Sequence, residues 1–454
     1  MKTLALLTSL ILTIIGVFSL IFLNFFAFNF NYQDLILYFI LALAIGLLVW
    51  IVGSVLNKKF NHLVTDFING KEKNLKNKRV FRTYGYVLLV LLPFLIFLLL
   101  LALYSAITFT LYAVLLISNA PRIPIAVLIA LAIIFFGTIA AVFMGLFRLI
   151  FPKKILPYGI IIDQNSQTKL WRLINKTSGD LGTKCIDKII ITPDHGVGVY
   201  LEGNFFSKIF GSGRRVLQMG IPSIYDLSIN ELQAILAHEY GHFNNKDTQW
   251  STFTYAMSTS LIETLKSTPG PGGEGMVGGV MALNPAYWIL FFYIKLFFRI
   301  TNGFSRIREV MADLNSVELY GGEAFKNGLQ KIARNDIVFS ELVNDKYAIE
   351  LLDEEKTITS IDIIMKFAYD SIGKLGIKEL DHNLLNNSKT STPYDSHPSL
   401  EKRYKLADIY KVNKKDNSDK VNTLFEDWKK IEEDITNLYN YRLLLIFNKL
   451  PQEK

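Results

Sequence analysis

Long apolar stretches dominate the first third of the chain. Four of them precede residue 152, and no charged residue lies in the middle of any of them, since Arg148 stands at the end of the last. Each exceeds the ~20 residues that an α-helix needs to cross the hydrocarbon core of a bilayer. The pattern predicts four transmembrane helices, over residues 4–28, 35–56, 86–118 and 124–151. The first apolar run is too long for the ~7–15-residue core of a signal peptide, so we expect it to be retained.

Lysine and arginine residues are concentrated in one connector between these stretches. Residues 57–85 carry eight of them, whereas 29–34 carry none and 119–123 carry only Arg122. Because positive loops stay in the cytoplasm, both ends of the bundle are predicted to lie there. Specific binding of lipid headgroups or nucleic acid by the connector is the alternative, and a topology signal is favoured.

Composition supports a membrane protein and excludes other classes. The chain has 454 residues, of which 51% are hydrophobic and 19% charged, and its mean hydropathy is +0.29. A disordered chain would have a lower fraction of hydrophobic residues, and a small disulfide-stabilised secreted module would have more cysteines. The single cysteine, Cys185, excludes an internal disulfide and a thiolate metal cage, and we expect it to be a small core residue.

Charge is divided unevenly along the chain. Residues 1–156 hold 13 Lys/Arg and 3 Asp/Glu, and the remaining residues hold 35 and 37, which is a net charge of −2. The basic pI therefore comes from the apolar part. A nucleic-acid partner is not expected, because a phosphate-binding patch would lie on the soluble part, which is nearly neutral.

The second half begins with short Ile- and Val-rich runs that predict strands over residues 188–192, 197–201 and 215–219. A helix start follows. Ser228 and Glu231 have the S-x-x-E spacing of a capping box, and Leu227 and Leu232 occupy the positions of a hydrophobic staple. The helix that they predict runs on to residue 242.

This helix carries the pentad His238-Glu239-Tyr240-Gly241-His242. Residues four apart share one face of a helix, so His238 and His242 can hold one zinc ion together. Glu239 lies beside that face, where it can accept a proton from an attacking water. A helix with two surface histidines is the alternative, and the independent capping signal favours the metal site.

The third zinc ligand distinguishes between classes of peptidase. Metzincins need glycine and histidine where this chain has Asn245 and Thr248, and polar residues after the pentad argue against an intramembrane site-2 protease. Downstream, Glu309 and Asp313 are four residues apart on a predicted helix. Glu309 would complete a His-His-Glu site, and Asp313 could accept the outer N–H of a ligating histidine.

Taken together, these motifs resemble the HtpX-like zinc metallopeptidases, a family that includes the CaaX prenyl endopeptidases. The matching residues are 237–243 with Asp247, then Ser305-Arg306 leading to Glu309 and Asp313, then His397-Pro398 with Arg403 six residues after the histidine. The lead-in 214–222 also resembles the family. The resemblance covers about residues 160–410. It differs from typical members in the number of spans before the pentad.

The resemblance implies a gluzincin that hydrolyses peptide bonds with one Zn²⁺ per chain. It implies ligands His238, His242 and Glu309, the base Glu239, and His397 with Arg403 as support for the oxyanion. We expect protein or peptide substrates at the lipid bilayer, and a multi-pass protein of the bacterial inner membrane with its catalytic domain in the cytoplasm. The alternatives are a CaaX-type prenyl-protein endopeptidase and a catalytically silent membrane scaffold.

The expected architecture is mainly α-helical and has three parts. Residues 1–156 form the transmembrane bundle, 157–410 an α+β gluzincin-type metallopeptidase domain with a small β-sheet, and 411–454 a helical tail. The aromatic segment 286–298 is predicted as a helix of 13 residues, ~20 Å long, too short to cross. It either dips into the cytoplasmic leaflet or lies buried in the domain.

Overall fold

The structure is a computed structural model. It describes residues 47, 51, 54–55, 57–69, 78–118, 122–151, 158–203, 212–243, 247–387, 395–409 and 417–447. The predicted span 4–28 and nearly all of 35–56 lie outside the described residues.

Two long apolar helices match the third and fourth predicted spans. Helix α1 covers Lys78–Ser118 and helix α2 covers Ile125–Ile150. Their segments Leu98–Leu115 and Ile125–Leu149 are long and apolar enough to cross a membrane. Large apolar side chains on one side of α2 are exposed, among them Ile129, Phe136 and Phe143. Spaced seven apart, these three share one helical face, which suits contact with hydrocarbon.

A four-stranded sheet opens the second half of the chain. Its strands are β1 (Ile160–Ile162), β2 (Lys188–Thr192), β3 (Val197–Glu202) and β4 (Arg214–Gly220). The order is β1-β2-β4-β3, with β2 and β4 parallel and the outer pairs antiparallel. Three strands match the prediction. The sequence pattern did not predict β1 or the amphipathic helix α3 (Thr168–Asp180), which packs in the same core.

After β4, the short helix α4 (Ile221–Ile224) leads into helix α5 (Ile229–Gly241). The predicted capping box is confirmed. The Glu231 backbone N–H donates to Ser228 Oγ at 3.3 Å, and the Ser228 N–H donates to Glu231 Oε2 at 2.7 Å. Both of these N–H groups are therefore satisfied at the start of the helix that carries the HExxH pentad.

A helical hairpin follows α5. It consists of α6 (Asp247–Ser267), the short α7 (Gly275–Met281) and α8 (Pro285–Tyr320). Ser260 Oγ donates to the Gly145 carbonyl at 2.7 Å, and Asn284 Nδ2 donates to Thr138 Oγ1 at 3.2 Å. Since Gly145 and Thr138 belong to the apolar segment of α2, the closed end of the hairpin lies beside a candidate membrane span.

The prediction of a 13-residue helix over 286–298 is wrong in length. Helix α8 continues for 36 residues through Tyr320, and α7 with α8 forms a bent pair at 57° that qualifies as a third candidate span. The helix continues because residues 299–320 keep a buried face at helical spacing, which packs on α5.

The remaining described helices complete the domain. They are α9 (Gly322–Ile337), a π-helical turn (Val338–Tyr347), α10 (Ala348–Asp353), α11 (Ile361–Asn387), α12 (Leu400–Ile409), a 3₁₀ turn (Val421–Leu424) and α13 (Trp428–Ile446). The tail packs into the sheet's own core through Ile435 and Tyr439. The expectation for Cys185 is wrong, because its side chain is exposed in the loop before β2.

Candidate metal centre and active site

Helices α5 and α8 lie unusually close to each other where the predicted metal ligands sit. A Cβ atom on Gly241 would lie 2.9 Å from Asn315 Nδ2 and 3.0 Å from Ala312 Cα. About two turns before Gly241 on α5, the Ala234 carbonyl accepts a hydrogen bond from Ser316 Oγ at 2.6 Å. The glycine inside the pentad therefore allows a close approach of two backbones, and the hydrogen bond fixes their register.

This packing brings the three predicted metal ligands together. One ligand atom from each of His238, His242 and Glu309 lies within 4.8 Å of the others. His238 Nε2 is 3.4 Å from Glu309 Oε2, and His242 Nε2 is 3.6 Å from Glu309 Oε1. Ligands at ~2.0–2.1 Å from a tetrahedral zinc ion lie about 3.3 Å apart. The donor set and its spacing therefore fit zinc, with a fourth position left for a reactant.

Asp313 lies behind His238, one helical turn beyond Glu309. Its Oδ1 is 2.8 Å from His238 Nδ1, and its side chain is fully buried. Arg403 on α12 donates to both carboxylate oxygens, from Nε at 2.8 Å and from Nη2 at 2.6 Å. With Nδ1 turned to a carboxylate, the Nε2 lone pair of His238 is directed to the metal position.

The charges at the centre favour a cation. Burial lowers the pKa of His238, but hydrogen bonds to Asp313 and Glu309 outweigh this effect and raise that pKa to about 10. Burial lowers the pKa of His242 to about 3, so this imidazole is neutral and can act as a ligand. Burial works against ionisation of Glu309, yet the surrounding histidines hold its pKa well below the usual range. The negative field that favours a proton on His238 also favours a divalent metal ion there.

Glu239 lies between the ligands and the sheet. Burial raises the pKa of its carboxyl to about 7, although His238 opposes the shift, and its carboxylate accepts a hydrogen bond from the backbone of Val199. Val199 belongs to β3, the outermost of the described strands on that side of the sheet. The predicted base is therefore held between its own helix and an edge strand, a contact that the sequence pattern did not reveal.

His397 reaches the centre from a separate segment. Its Nδ1 lies 2.9 Å from Glu309 Oε2, and its side chain is 61% exposed. It therefore lies on the open side of the site, opposite the buried Arg403–Asp313 pair. The structure thus brings all seven predicted site residues into one cluster, with Arg403 directed to Asp313.

One further residue of this cluster was quoted in a motif without a role. Arg306, three residues before Glu309, is almost fully buried. It donates to the side chains of Asn57 and Asn61 and to the backbone carbonyl of Asp395. Its partners are far away in sequence, so spacing alone could not have indicated them.

Comparisons with known proteins agree with this geometry. Residues 208–409 match the model of Peptidase family M48. A curated relative, "Protease HtpX" from Pseudoalteromonas atlantica (strain T6c / ATCC BAA-1087), is 23% identical over 149 residues, which cover 32% of this chain and 51% of the relative. The chain thus spans about half the length of this relative. No solved structure matches.

The matched region contains every predicted ligand, the predicted base and the His397–Arg403 element, and it ends with helix α12. The pentad, the downstream glutamate and their convergence in space agree with the family match. Over the region that carries the site, the chain is therefore similar to the HtpX-like zinc metallopeptidases of Peptidase family M48.

Proposed function

We propose that this protein is a membrane-anchored zinc endopeptidase that cleaves membrane-associated or misfolded proteins at the cytoplasmic face. The observation that carries this proposal is the convergence of His238, His242 and Glu309 on one point, with Glu239 in their electrostatic reach. Metal-assisted hydrolysis needs an open metal site and a carboxylate beside it, and both requirements are met by these four residues.

The chain's own groups have distinct tasks in this chemistry. When bound, zinc supplies Lewis acidity, which lowers the pKa of water and polarises a carbonyl group. Glu239 accepts a proton from the attacking water on its carboxylate and delivers it to the leaving amine. A pKa of about 7 suits a group that must both accept and donate. Asp313 orients His238 through the Nδ1 contact of 2.8 Å.

His397 and Arg403 act on opposite sides of the centre. His397 lies on the exposed rim beside Glu309, where it can donate a hydrogen bond to the oxyanion that develops on the peptide carbonyl. We assign Arg403 a positioning role instead of the direct support that the resemblance implied. Its guanidinium donates two hydrogen bonds to Asp313, and its side chain is buried.

The edge strand β3 is suited to bind an extended substrate. Gly220 N–H bonds to the Gly196 carbonyl at 2.8 Å, and the register pairs Gly198 with Gln218. Because hydrogen-bonded pairs alternate along an antiparallel ladder, the even-numbered residues bond to β4. Val197 and Leu201 then direct their N–H and C=O groups away from the sheet, so a peptide can pair there, on either side of the residue that holds Glu239.

The hairpin explains how the site could be held at the membrane. Its open end carries His242 and Glu309, which must lie on the same side of the bilayer because their side chains meet. Its closed end contacts the candidate span of α2 through Ser260 and Asn284. We therefore propose that α6–α8 enters a bacterial cell membrane from the cytoplasm in a multi-pass protein, and that it keeps the active site near membrane-associated substrates.

The test uses the detergent-purified full-length protein. Zinc content and cleavage of casein are measured for the wild type and for Glu239→Gln, which keeps the ligands and removes the base. We expect equal zinc and a loss of ~10²–10⁴-fold in turnover. Wild-type turnover in this variant would contradict the role of Glu239 as the base. Cleavage restricted to a prenylated CaaX peptide would favour the prenyl-protein alternative, and zinc without any cleavage would favour a silent scaffold.

A further inference from the structure

The connector between the second and third predicted spans packs directly beside the metal centre. Its described helical segment 57–68 buries Phe60, Val64 and Phe67. The Phe60 ring meets the ring of Phe304 on α8 edge-on, with centroids 6.1 Å apart. A Cβ on Gly303 would lie 2.7 Å from Asn57 Oδ1, so the two helices approach closely at that glycine. The contact lies less than two turns before Glu309.

Arg306 links this segment to two other parts of the site. Its Nε donates to Asn61 Oδ1 at 2.9 Å and its Nη2 donates to Asn57 Oδ1 at 2.7 Å. Its Nη1 donates to the backbone carbonyl of Asp395. The side chain is 3% exposed. The planar guanidinium holds several donors in a fixed arrangement, so it fixes the relative positions of its three acceptors, which lysine could not do.

The third acceptor connects Arg306 to the catalytic rim. Asp395 precedes His397 by two residues, and His397 Nδ1 lies 2.9 Å from Glu309 Oε2. Because the His397 side chain is 61% exposed, packing does little to fix its orientation. The anchoring of the backbone on either side of it must therefore do so, through the Asp395 carbonyl on one side and the buried Arg403 on the other.

We propose that Arg306 is a positioning residue that holds His397 over the metal centre, and that segment 57–68, through Asn57 and Asn61, is a structural part of the active site. The inference rests on the proposed function. It means that turnover depends on how segment 57–68 of the connector sits on α8, although none of these described residues is a ligand or a base. A shift of about 1 Å in a catalytic group can cost on the order of 10²-fold in rate.

The key variant is Asn57→Ala/Asn61→Ala, which removes two acceptors of Arg306 and leaves every catalytic residue in place. Asn69→Ala is the matched control, since it makes the same change at an exposed position next to the segment. Arg306→Lys keeps the charge and loses the fixed geometry. In the double-alanine and lysine variants we expect kcat to fall about 10–100-fold, with KM and zinc content close to wild type. Asn69→Ala should match the wild type.

Two measurements separate this role from a general structural one. In a His397→Phe background, the double-alanine substitution should lower kcat by less than about twofold, because the group that it positions is gone. Hydrogen exchange of the peptide covering 395–403 should become several-fold faster in the double-alanine variant and not in Asn69→Ala. The exchange measurement needs neither bound metal nor activity, and it decides the inference even if a variant is too slow to assay.

The proposal would be overturned if the double-alanine substitution lowered kcat equally with and without His397. Unchanged hydrogen exchange at 395–403 would also overturn it, as would a wild-type kcat in both the Arg306 and the Asn57/Asn61 variants. Absence of zinc-dependent cleavage in the wild type would count against the proposed function. The exchange result would still report on whether Arg306 holds the His397 segment.

Discussion

Asp313→Asn is the perturbation whose consequences follow most directly from the geometry. The carboxylate is fully buried. It accepts two hydrogen bonds from Arg403 and lies 2.8 Å from His238 Nδ1. The asparagine keeps the size of the side chain but removes its charge and one acceptor oxygen, so Arg403 is left only partly paired.

Two separate losses are expected. Removing the carboxylate that orients a metal-binding histidine costs ~10–100-fold in metal affinity, about 1.4–2.8 kcal/mol. Breaking a buried ion pair by changing one partner costs ~3–5 kcal/mol of folding stability, and asparagine should fall at the lower end because it still accepts one bond. The metal-free protein should therefore also be destabilised.

The assay combines zinc affinity by chelator competition with thermal unfolding of the metal-free protein. Asp381→Asn is a suitable control, because it changes a carboxylate 3.0 Å from Arg334, in a partly exposed pair away from the metal centre. We expect no change in zinc affinity and a small loss of stability there, since exposed pairs contribute ~0–1 kcal/mol. Unchanged zinc affinity in Asp313→Asn would refute the role assigned to the Asp313–His238 contact.

Three further outcomes test other parts of the account. Gly241→Ala should destabilise the protein by ~1–3 kcal/mol and reduce zinc occupancy, because its Cβ would meet Ala312 and Asn315. Gly279→Ala is the control, since a Cβ there meets no neighbour, and it should change neither stability nor zinc occupancy. Equal unfolding curves for the two variants would contradict the close packing of α5 on α8. Val199→Pro should lower kcat while zinc is retained, because proline removes the backbone N–H that donates to Glu239. This N–H points outward from an edge strand, where proline is tolerated. Full turnover would show that this contact is dispensable. Removal of zinc by a chelator should lower the thermal midpoint, because metal at ~1,000 times its Kd contributes about 4 kcal/mol; an unchanged midpoint would mean that metal does not join α5 to α8.

Local sequence features predicted the two histidine ligands because their placement has a short-range cause. The capping box at Ser228 and Glu231 is complete within four residues, and it fixes where the helix begins. The four-residue spacing then places His238 and His242 on one face without any knowledge of the rest of the fold. The apolar runs that form α1 and α2 were also predicted from local sequence, because a helix that crosses the hydrocarbon core of a bilayer must be predominantly apolar.

What the sequence could not supply depends on distant partners. Helix α6 is too polar to be recognised as the companion of α8. Its hydroxyl groups nevertheless bond to its own backbone and to α2, as Ser260 does to Gly145. The resemblance implied Arg403 as support for the oxyanion, but its pairing with Asp313, a contact across 90 residues, has no local signal. Asn57 and Asn61 carry no motif at all. Their importance follows only from the packing of a connector against α8.

A metal held jointly by α5 and α8 is the basis of the roles proposed for these residues. Zinc X-ray absorption spectroscopy, with zinc content, on the purified wild type and on Glu309→Ala tests this directly. We predict one zinc per wild-type chain with two imidazole nitrogens among its ligands, no sulfur, and loss of the metal in Glu309→Ala. Full zinc occupancy and an unchanged spectrum in Glu309→Ala would contradict the assignment of the third ligand, and with it the centre described above.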